Sequence, residues 1–351
     1  YFLRTAAGAW EDDWRTLIPL DSEQENLLAA LEHGRAAALP ELWAGLAGFL
    51  MHSFMHGNNR LALPWTAYAL AAAPSIADPD MRCRLRFAAT TILTDVGDFA
   101  AALDAAAELK SDAEAHGSTL RALEADALTG YVLCRKGEPE SALEIQRRTL
   151  PQIRLLDGGV VLCRALSLTT MALIETAVAK IAAGSCGLGE YVEAESVGRQ
   201  LIEALPPHSR FWPTALQMMG MTLAGQRRMI ECYSFFKRSQ QLAIVHRRLA
   251  VLMLGFFVEA EASLLVWEFE RGARMLGAAL KLQERIAYTA PTADETRQRL
   301  MAAFGARMSN EALDRQLQIG RASSLSELAA DRIPDSAIGR AAADPLVVDA
   351  L

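Results

Sequence analysis

His52 and His56 have the spacing of paired metal ligands. Residues four apart share one face of a helix, as the two histidine ligands of a zinc peptidase do. Such an enzyme carries its glutamate directly after the first histidine, and this sequence has Ser53 there. No third ligand lies nearby, and apolar residues surround the pair. We interpret both histidines as packed or inward-facing side chains and predict no metal site.

A glycine-rich run, Gly184-x-x-Gly187-x-Gly189, has a composition that can cradle phosphate in front of a helix. A nucleotide fingerprint has to follow a β-strand, whereas the preceding segment has a helical pattern. We therefore favour a long turn between helices. The sequence also lacks a recognisable phosphate loop, nucleophile motif or catalytic carboxylate pair. These observations predict a chain that is not an enzyme and needs no cofactor.

The segment 225–248 is basic in an otherwise acidic chain, with a net charge of +5 and aromatic residues between its cations. On a helix, the aromatic residues would point into the fold and the cations toward water. One interpretation is a solvated face, and the other is a surface that docks an acidic partner or an anionic ligand. The cations are Arg227, Arg228, Lys237, Arg238, Arg247 and Arg248.

Four aromatic residues are candidates for a binding groove, since helical-repeat proteins often present aromatic side chains on the concave side. We favour core packing as their role over a groove. They are Trp65, Tyr68, Tyr131 and Trp212.

The bulk composition indicates a folded chain of helices packed on helices. Of 351 residues, 52% are hydrophobic and 22% charged, and only 7% are aromatic. A formal net charge of -7 disfavours non-specific binding of nucleic acid or anionic membranes. We expect a protein partner or a small-molecule effector, with no direct contact to nucleic acid or to a membrane.

The five cysteines are widely spaced, without a Cys-x-x-Cys pair, and predict buried thiols in a reducing compartment. The longest uncharged stretch, Leu42 to Asn59, contains histidines, asparagines and glycines and is a poor membrane span. We therefore expect a cytoplasmic protein. Because the first residue is Tyr1, we also expect a part of something longer. The cysteines are Cys83, Cys134, Cys163, Cys186 and Cys232.

A repeated turn organises the chain. Gly97-Asp98-Phe99-Ala100-Ala101-Ala102 stands between two apolar helical patterns, and copies begin at Gly137 and Gly189. Glycine ends a helix in the left-handed conformation, and an acidic residue suits the next helix start. Weaker copies begin at Gly57, Gly225 and Trp267, and the fifth residue after each start is small in five of six copies. A period near 40 residues predicts an all-α solenoid of antiparallel helix pairs.

The positions of the turns along the sequence predict four regions. They are an N-terminal helical cap at 1–56, a repeat array at 57–290, capping helices at 291–333 and a loosely ordered tail at 334–351. The interval of 52 residues between Gly137 and Gly189 exceeds the others and could hold an insertion. Helices are predicted at 79–96, 98–116, 118–136, 138–157, 159–183, 190–205, 210–225, 227–246, 248–266 and 269–287, then near 292–305, near 309–319 and from Leu325.

The repeat resembles a longer-period tetratricopeptide repeat, on Leu128-x-Gly130-Tyr131 followed by Gly137 and Ala142. The two ends resemble the repeat region of large bacterial signal-transducing ATPases, including LuxR-type and antibiotic-regulator transcription factors. The residues that carry this second resemblance are Trp14-Arg15-x-Leu17 with Glu25 to Leu31, and Arg271 to Ala279 with Gln316-x4-Arg321-Ala322-Ser323-x-Leu325.

That resemblance implies an upstream ATPase domain and an output domain in the parent chain. It also implies a regulatory repeat module that senses an effector or a protein partner. The sequence has neither a phosphate loop nor a helix-turn-helix of its own. The resemblance therefore implies neither ATPase activity nor DNA binding for this part of the parent chain. The alternative is a stand-alone helical-repeat adaptor or small-molecule-binding protein.

Overall fold

The described part of the protein is built of α-helices. The computed structural model describes residues 1–8, 23–57, 59–156, 159–286 and 291–333, and these ranges contain seventeen α-helices and no strand. The all-α solenoid predicted from the sequence is confirmed. The helices are α1 Phe2–Gly8, α2 Gln24–Ala36, α3 Leu42–His56, α4 Asn59–Ala72, α5 Pro79–Val96, α6 Phe99–Ala115, α7 Thr119–Lys136, α8 Pro139–Leu155, α9 Val160–Ala182, α10 Leu188–Ala204, α11 Trp212–Gly225, α12 Met229–Val245, α13 Leu249–Leu265, α14 Phe269–Ile286, α15 Pro291–Gly305, α16 Asn310–Ala322 and α17 Leu325–Ala330.

Helices α5 to α8 are joined by turns of one geometry at a spacing of 20 residues. Gly97, Gly117 and Gly137 follow the ends of successive helices with φ of 85°, 69° and 96°. Beyond each glycine, a backbone N–H reaches back to a carbonyl of the last helical turn, as Asp98 does to Leu93 at 2.9 Å. This pairing satisfies carbonyls that the helix end would leave without a partner. Two helices and two turns make the period of 40.

The same turn returns in the second half of the chain without glycine. Arg227, Arg247 and Trp267 are again 20 residues apart, with φ of 61°, 51° and 63°. Arg228 N–H donates to the Leu223 carbonyl at 2.9 Å, which repeats the bond of the first half. A left-handed conformation costs an L-residue about 1–2 kcal/mol. The packing of the helix pair therefore stabilises the turn even where the left-handed conformation is unfavourable for the residue that adopts it.

Two of the predicted turn glycines need correction. Gly57, Gly97 and Gly137 have the left-handed conformation, but Gly189 lies inside the first turn of α10 and Gly225 is the last residue of α11. Neither has a positive φ, because each lies within a helix and has helical backbone geometry. The turns themselves are made by Gly184, with φ of 75°, and by Arg227.

The long third interval comes from the length of a helix and its linker rather than from a separate inserted element. Helix α9 has 23 residues where α8 has 17, and the linker from Ala183 to Gly187 separates α9 from α10. The predicted tail at 334–351 and the residues around Trp14 lie outside the described residues.

Small residues let the helices of a pair approach closely. Ala102, Ala142 and Ala194, each five positions after a repeat start, are fully buried. A Cβ built on Gly272 would lie 2.5 Å from the ring of Phe304, which is closer than real Cβ contacts allow. The exception predicted from the sequence, Ile230, is 49% exposed and needs no such space.

The superhelix closes on itself. Helix α3, near the start, contacts α13, near the end. Gly57, directly after α3, lies against the last residue of α14, since a Cβ built on Gly57 would be 2.6 Å from Ile286 Cγ2. The two ends of the array therefore meet, and the concave side becomes a central cavity.

Candidate functional site

The central cavity is the candidate site. It has a volume of about 1080 Å³ and is lined mainly by the inner helices α3, α5, α7, α9, α11 and α13, with contributions from α12 and α15. Its walls are largely apolar, so a ligand would be held chiefly by hydrophobic contact. Representative wall residues are Phe54, Phe87, Leu128, Met171, Met218 and Leu254.

Asp95 is the most deeply buried carboxylate of the wall. Tyr131 Oη donates to its Oδ1 at 2.7 Å, and Asn59 Nδ2 donates to its Oδ2 at 3.3 Å. Arg135 Nη2 lies 4.0 Å from Oδ1. Burial nevertheless raises the pKa of Asp95, against the lowering by Arg135 and by the two hydrogen bonds. These donors hold Asp95 in one place at the junction of α4, α5 and α7.

Glu175 of α9 is the second carboxylate of the wall. Burial raises its pKa, Arg135 opposes that rise, and Glu295 of α15 adds to it. Within the part of the chain that the structure describes, Glu175 takes part in no hydrogen bond or ion pair. It therefore faces the cavity with an unsatisfied capacity to accept hydrogen bonds.

Three arginines of the wall are already held by the protein. Arg164 Nη1 donates to Glu124 at 2.5 Å, and Arg299 Nη1 lies 2.8 Å from a carboxylate oxygen of Glu261. Arg248 Nη1 donates to the Arg210 carbonyl at 3.1 Å. These guanidinium groups connect neighbouring helices, and we do not assign them to an anion-binding site.

The predicted aromatic groove residues are only partly in the cavity. Tyr131 lines it, whereas Trp65 and Tyr68 lie outside it. The ring of Tyr68 stacks on Trp43 at 5.7 Å and meets Trp65 edge-on at 6.0 Å, measured between ring centroids. Trp212 Nε1 donates to the Pro206 carbonyl at 2.8 Å and so fixes the linker before α11. Core or turn packing accounts for the three that lie outside.

The basic segment does not form one solvated face, and that interpretation needs correction. Lys237 and Arg248 are buried, because each of these charges is met by partners inside the fold. Arg228 pairs with Glu195 at 2.8 Å and with Glu231 at 2.7 Å. The remaining three, Arg227, Arg238 and Arg247, are exposed, and of these Arg227 lines the cavity.

A buried ionic network lies next to the cavity. Glu259 is fully buried, with Lys237 Nζ 3.0 Å and Arg271 Nη2 2.7 Å from its oxygens. Lys237 and Arg271 also donate to the Asp331 carbonyl, at 2.7 and 3.0 Å. Two neutral charge pairs result, since Arg271 Nε lies 3.2 Å from the Asp331 carboxylate. The network therefore fastens the chain that follows α17.

Ile333 completes this attachment. Its N–H donates to Tyr233 Oη at 2.8 Å, and its side chain is fully buried. The residues packed around it are also cavity-lining residues, so the segment after α17 supports the cavity wall. They are Met229, Tyr233, Ala262 and Val266.

The structure describes the burial of His52 and of the five cysteines. His52 is buried, and the side chain of His56 lies outside the description. No group of three or more potential metal-ligating residues occurs among the described ones. Cys186 is exposed, contrary to the prediction of buried thiols, because it lies in the turn after α9. Burial raises the pKa of Cys134 to about 12 and of Cys83 to about 11.

One described helix, α9, is long and apolar enough to cross a membrane by length and composition alone. The mean hydropathy of its most apolar window is 1.5. Of that window, 72% is buried inside the fold, which is typical of the core helix of a packed domain.

Comparison with known proteins bears on the fold. No family model and no curated sequence matches the chain. Among solved structures, it is similar to a Rap protein complexed with Competence and Sporulation Factor, with a TM-score of 0.51 and 12% identity over 91% of this chain and 100% of that chain. The chain has a helical-repeat fold. At this identity the similarity extends to the fold and not to a function.

Asp95, Arg135 and Glu175 are cavity residues that the sequence did not single out. Glu175 left a usable signal, since it is a lone carboxylate in the middle of the most apolar long helix. A partly buried ionisable group with a shifted pKa in a cavity wall is a candidate functional residue. Asp95 and Arg135 lie near helix ends, where charged residues are common, and gave no comparable signal.

Proposed function

We propose that the chain is an effector-sensing repeat module that binds a predominantly apolar molecule in its central cavity. The observation that carries the proposal is the cavity itself, of about 1080 Å³, apolar and with a few convergent polar groups. Ligand pockets typically measure ~300–1,000 Å³ and have this mixture of walls. Empty apolar space of this size forgoes packing that a ligand can restore.

Sensing would work through the closure of the superhelix. The cavity is bounded by α3 and by α13, which meet where the array closes. Each helix pair contacts its neighbours, so small rotations accumulate along the array. A ligand that touches both ends would favour the closed form, and it shifts the equilibrium only by its differential affinity for closed and open forms. The similar Rap protein was solved in complex with a factor, which supports this fold as a binding scaffold.

We further propose that the parent protein is a cytoplasmic, ATP-dependent bacterial transcriptional regulator in which this module is the non-catalytic sensor. The support is the resemblance at the two ends of the repeat region. Sequencing the DNA upstream of the Tyr1 codon tests it. A reading frame that encodes a Gly-x4-Gly-Lys-Ser/Thr loop on a strand and helix supports the proposal. A start codon close by with nothing before it counts against it.

Binding in the cavity is tested with Nile red, a neutral apolar dye. Val178 lines the cavity and is 44% exposed, so tryptophan fits there and occupies part of the space. Val192, 57% exposed on α10 and outside the lining set, is the matched control. We expect Val178→Trp to weaken dye binding at least tenfold and Val192→Trp to leave it unchanged. Equal binding by both variants would place the dye elsewhere and overturn the proposal.

A further inference from the structure

We infer that the cavity ligand carries one cationic nitrogen, an ammonium or amidinium group, which pairs with Glu175. This inference rests on the proposed function and names the chemical class of its ligand. The ligand is then a lipophilic cation, with hydrocarbon against the apolar walls and its charge against α9.

The charge balance around Glu175, rather than that of the whole wall, leads to this class. Arg164, Arg248 and Arg299 are each engaged by an acceptor of the protein. Arg135 is the one guanidinium that acts on both Asp95 and Glu175. Arg248 also acts on Asp95, whereas Arg135 is the single cation that acts on Glu175. Around Glu175, the carboxylates of Glu175 and Glu295 therefore outnumber the positive charge.

Asp95 and Glu175 differ in their partners. Asp95 receives hydrogen bonds from Tyr131 and Asn59, so its oxygens are occupied within the protein. Glu175 receives none from the described residues. Glu175 is partly buried, and a desolvated carboxylate without a partner is costly. A ligand that supplies a charge-assisted hydrogen bond removes that cost. Glu175 is therefore the group that gains most from a bound cation.

The surroundings of Glu175 favour a cation over an anion. The titratable groups coupled to it are Cys134 and Arg135 of α7, Tyr191 of α10 and Glu295 of α15. Arg135 is the single cation among them. An anionic ligand at this place would meet the like charges of Glu175 and Glu295.

Three probes of one chain length separate the charge from the hydrocarbon: octylamine, 1-octanol and octanoate. Titration calorimetry on the full chain at pH 7.5 measures each dissociation constant. We expect octylamine, which is protonated there, to bind at least tenfold more tightly than octanol, and octanoate to bind weakest. Glu175→Gln should remove the preference for octylamine and leave octanol unchanged. Glu203→Gln, an exposed carboxylate of α10 outside the lining set, is the matched control.

The pH dependence provides a second readout. Octylamine stays protonated across pH 5 to 8, so any change in its affinity reports the carboxylate. Because burial raises the pKa of Glu175, binding should strengthen as the pH rises through that pKa and then level off. In Glu175→Gln the profile should be flat.

The outcomes separate the inference from the proposed function. If octanol or octanoate binds as tightly as octylamine, or if Glu175→Gln keeps the preference, the cation is not recognised and the inference fails while the cavity remains a binding site. If no probe binds and Nile red binding is equal in Val178→Trp and Val192→Trp, the cavity is not a ligand site and the proposed function fails with it.

Discussion

The hydroxyl of Tyr131 and the carboxylate of Asp95 are joined by a 2.7 Å hydrogen bond across α7 and α5. It ties two inner helices together beside the cavity. The bond also favours the ionised form of a carboxylate whose pKa burial raises. Two of the charges that act on Asp95 are cationic, Arg135 of α7 and Arg248 at the start of α13.

Tyr131→Phe should destabilise the fold by about 1–3 kcal/mol, the cost of leaving a buried acceptor without its donor. The loss should be larger at pH 8 than at pH 5. A raised pKa in the folded state means that folding takes up a proton, so the stability contributed by Asp95 falls as the pH rises through the raised pKa. Removing Tyr131 raises that pKa further. Urea denaturation at both pH values measures the difference.

Tyr68→Phe is the control for this experiment. Tyr68 stacks on Trp43, and its hydroxyl makes no hydrogen bond within the described residues. Its variant should change stability by less than about 0.5 kcal/mol at either pH. Equal losses in the two variants would show that the hydroxyl of Tyr131 does not stabilise the junction.

Gly57→Ala should open the closed superhelix. The position has φ of 75°, and the new Cβ would lie 2.6 Å from Ile286 Cγ2. Gly137→Ala is the matched control, since it has φ of 96° but no atom within 4 Å of the new Cβ. Both variants bear the left-handed cost of about 1–2 kcal/mol, and only Gly57→Ala loses the contact between the ends.

Small-angle scattering and Nile red titration distinguish the two alanine variants. We expect Gly57→Ala to increase the radius of gyration and to weaken dye binding, and Gly137→Ala to lower only the free energy of unfolding. An unchanged radius in Gly57→Ala would mean that the closure tolerates the added methyl group. Ligand sensing through that contact would then lose its support.

Arg227→Gly should stabilise the fold. Arg227 is exposed and has φ of 61°, a conformation that glycine takes without steric cost. The relief of about 1–2 kcal/mol is partly offset by the greater freedom of glycine in the unfolded chain, so we expect a net gain of about 0.5–1 kcal/mol. Arg238→Gly, exposed in the middle of α12, should instead lose about 1 kcal/mol. Thermal unfolding of both variants measures the contrast.

The sequence predicted the helices because helix ends depend on local chemistry. The turn at Gly97 and Asp98 contains both its left-handed residue and its cap within two positions. The turn at Arg227 has neither signal, so the sequence placed that boundary at Gly225. Packing of α11 against its neighbours decided it instead.

The site was harder to predict because its residues come together only in the folded superhelix. Asp95 and Tyr131 lie on different repeats, and nothing in either repeat indicates that the two are in contact. The burial of Lys237 likewise depends on Asp331, at the far end of the chain. The net charge of residues 225–248 contains no information about a partner as distant in the sequence as Asp331. For this reason the basic segment was interpreted as a surface.

Lys237→Met should release the segment after α17. The substitution leaves Glu259 with one cation instead of two and removes a donor to the Asp331 carbonyl. Breaking a buried pair by removing one partner costs about 3–5 kcal/mol, and Arg271 should hold the loss near the lower end.

Trypsin reports this release at one peptide bond. The Arg332–Ile333 bond is protected while Ile333 is buried and its N–H is held by Tyr233. Cleavage after Arg332, followed by mass spectrometry under native conditions, should be at least tenfold faster in Lys237→Met. Lys281→Met is the matched control, because Lys281 donates to a backbone carbonyl of α16 at an exposed position. Equal cleavage rates in the two variants would show that the buried network does not hold the segment, and that apolar packing of Ile333 is sufficient.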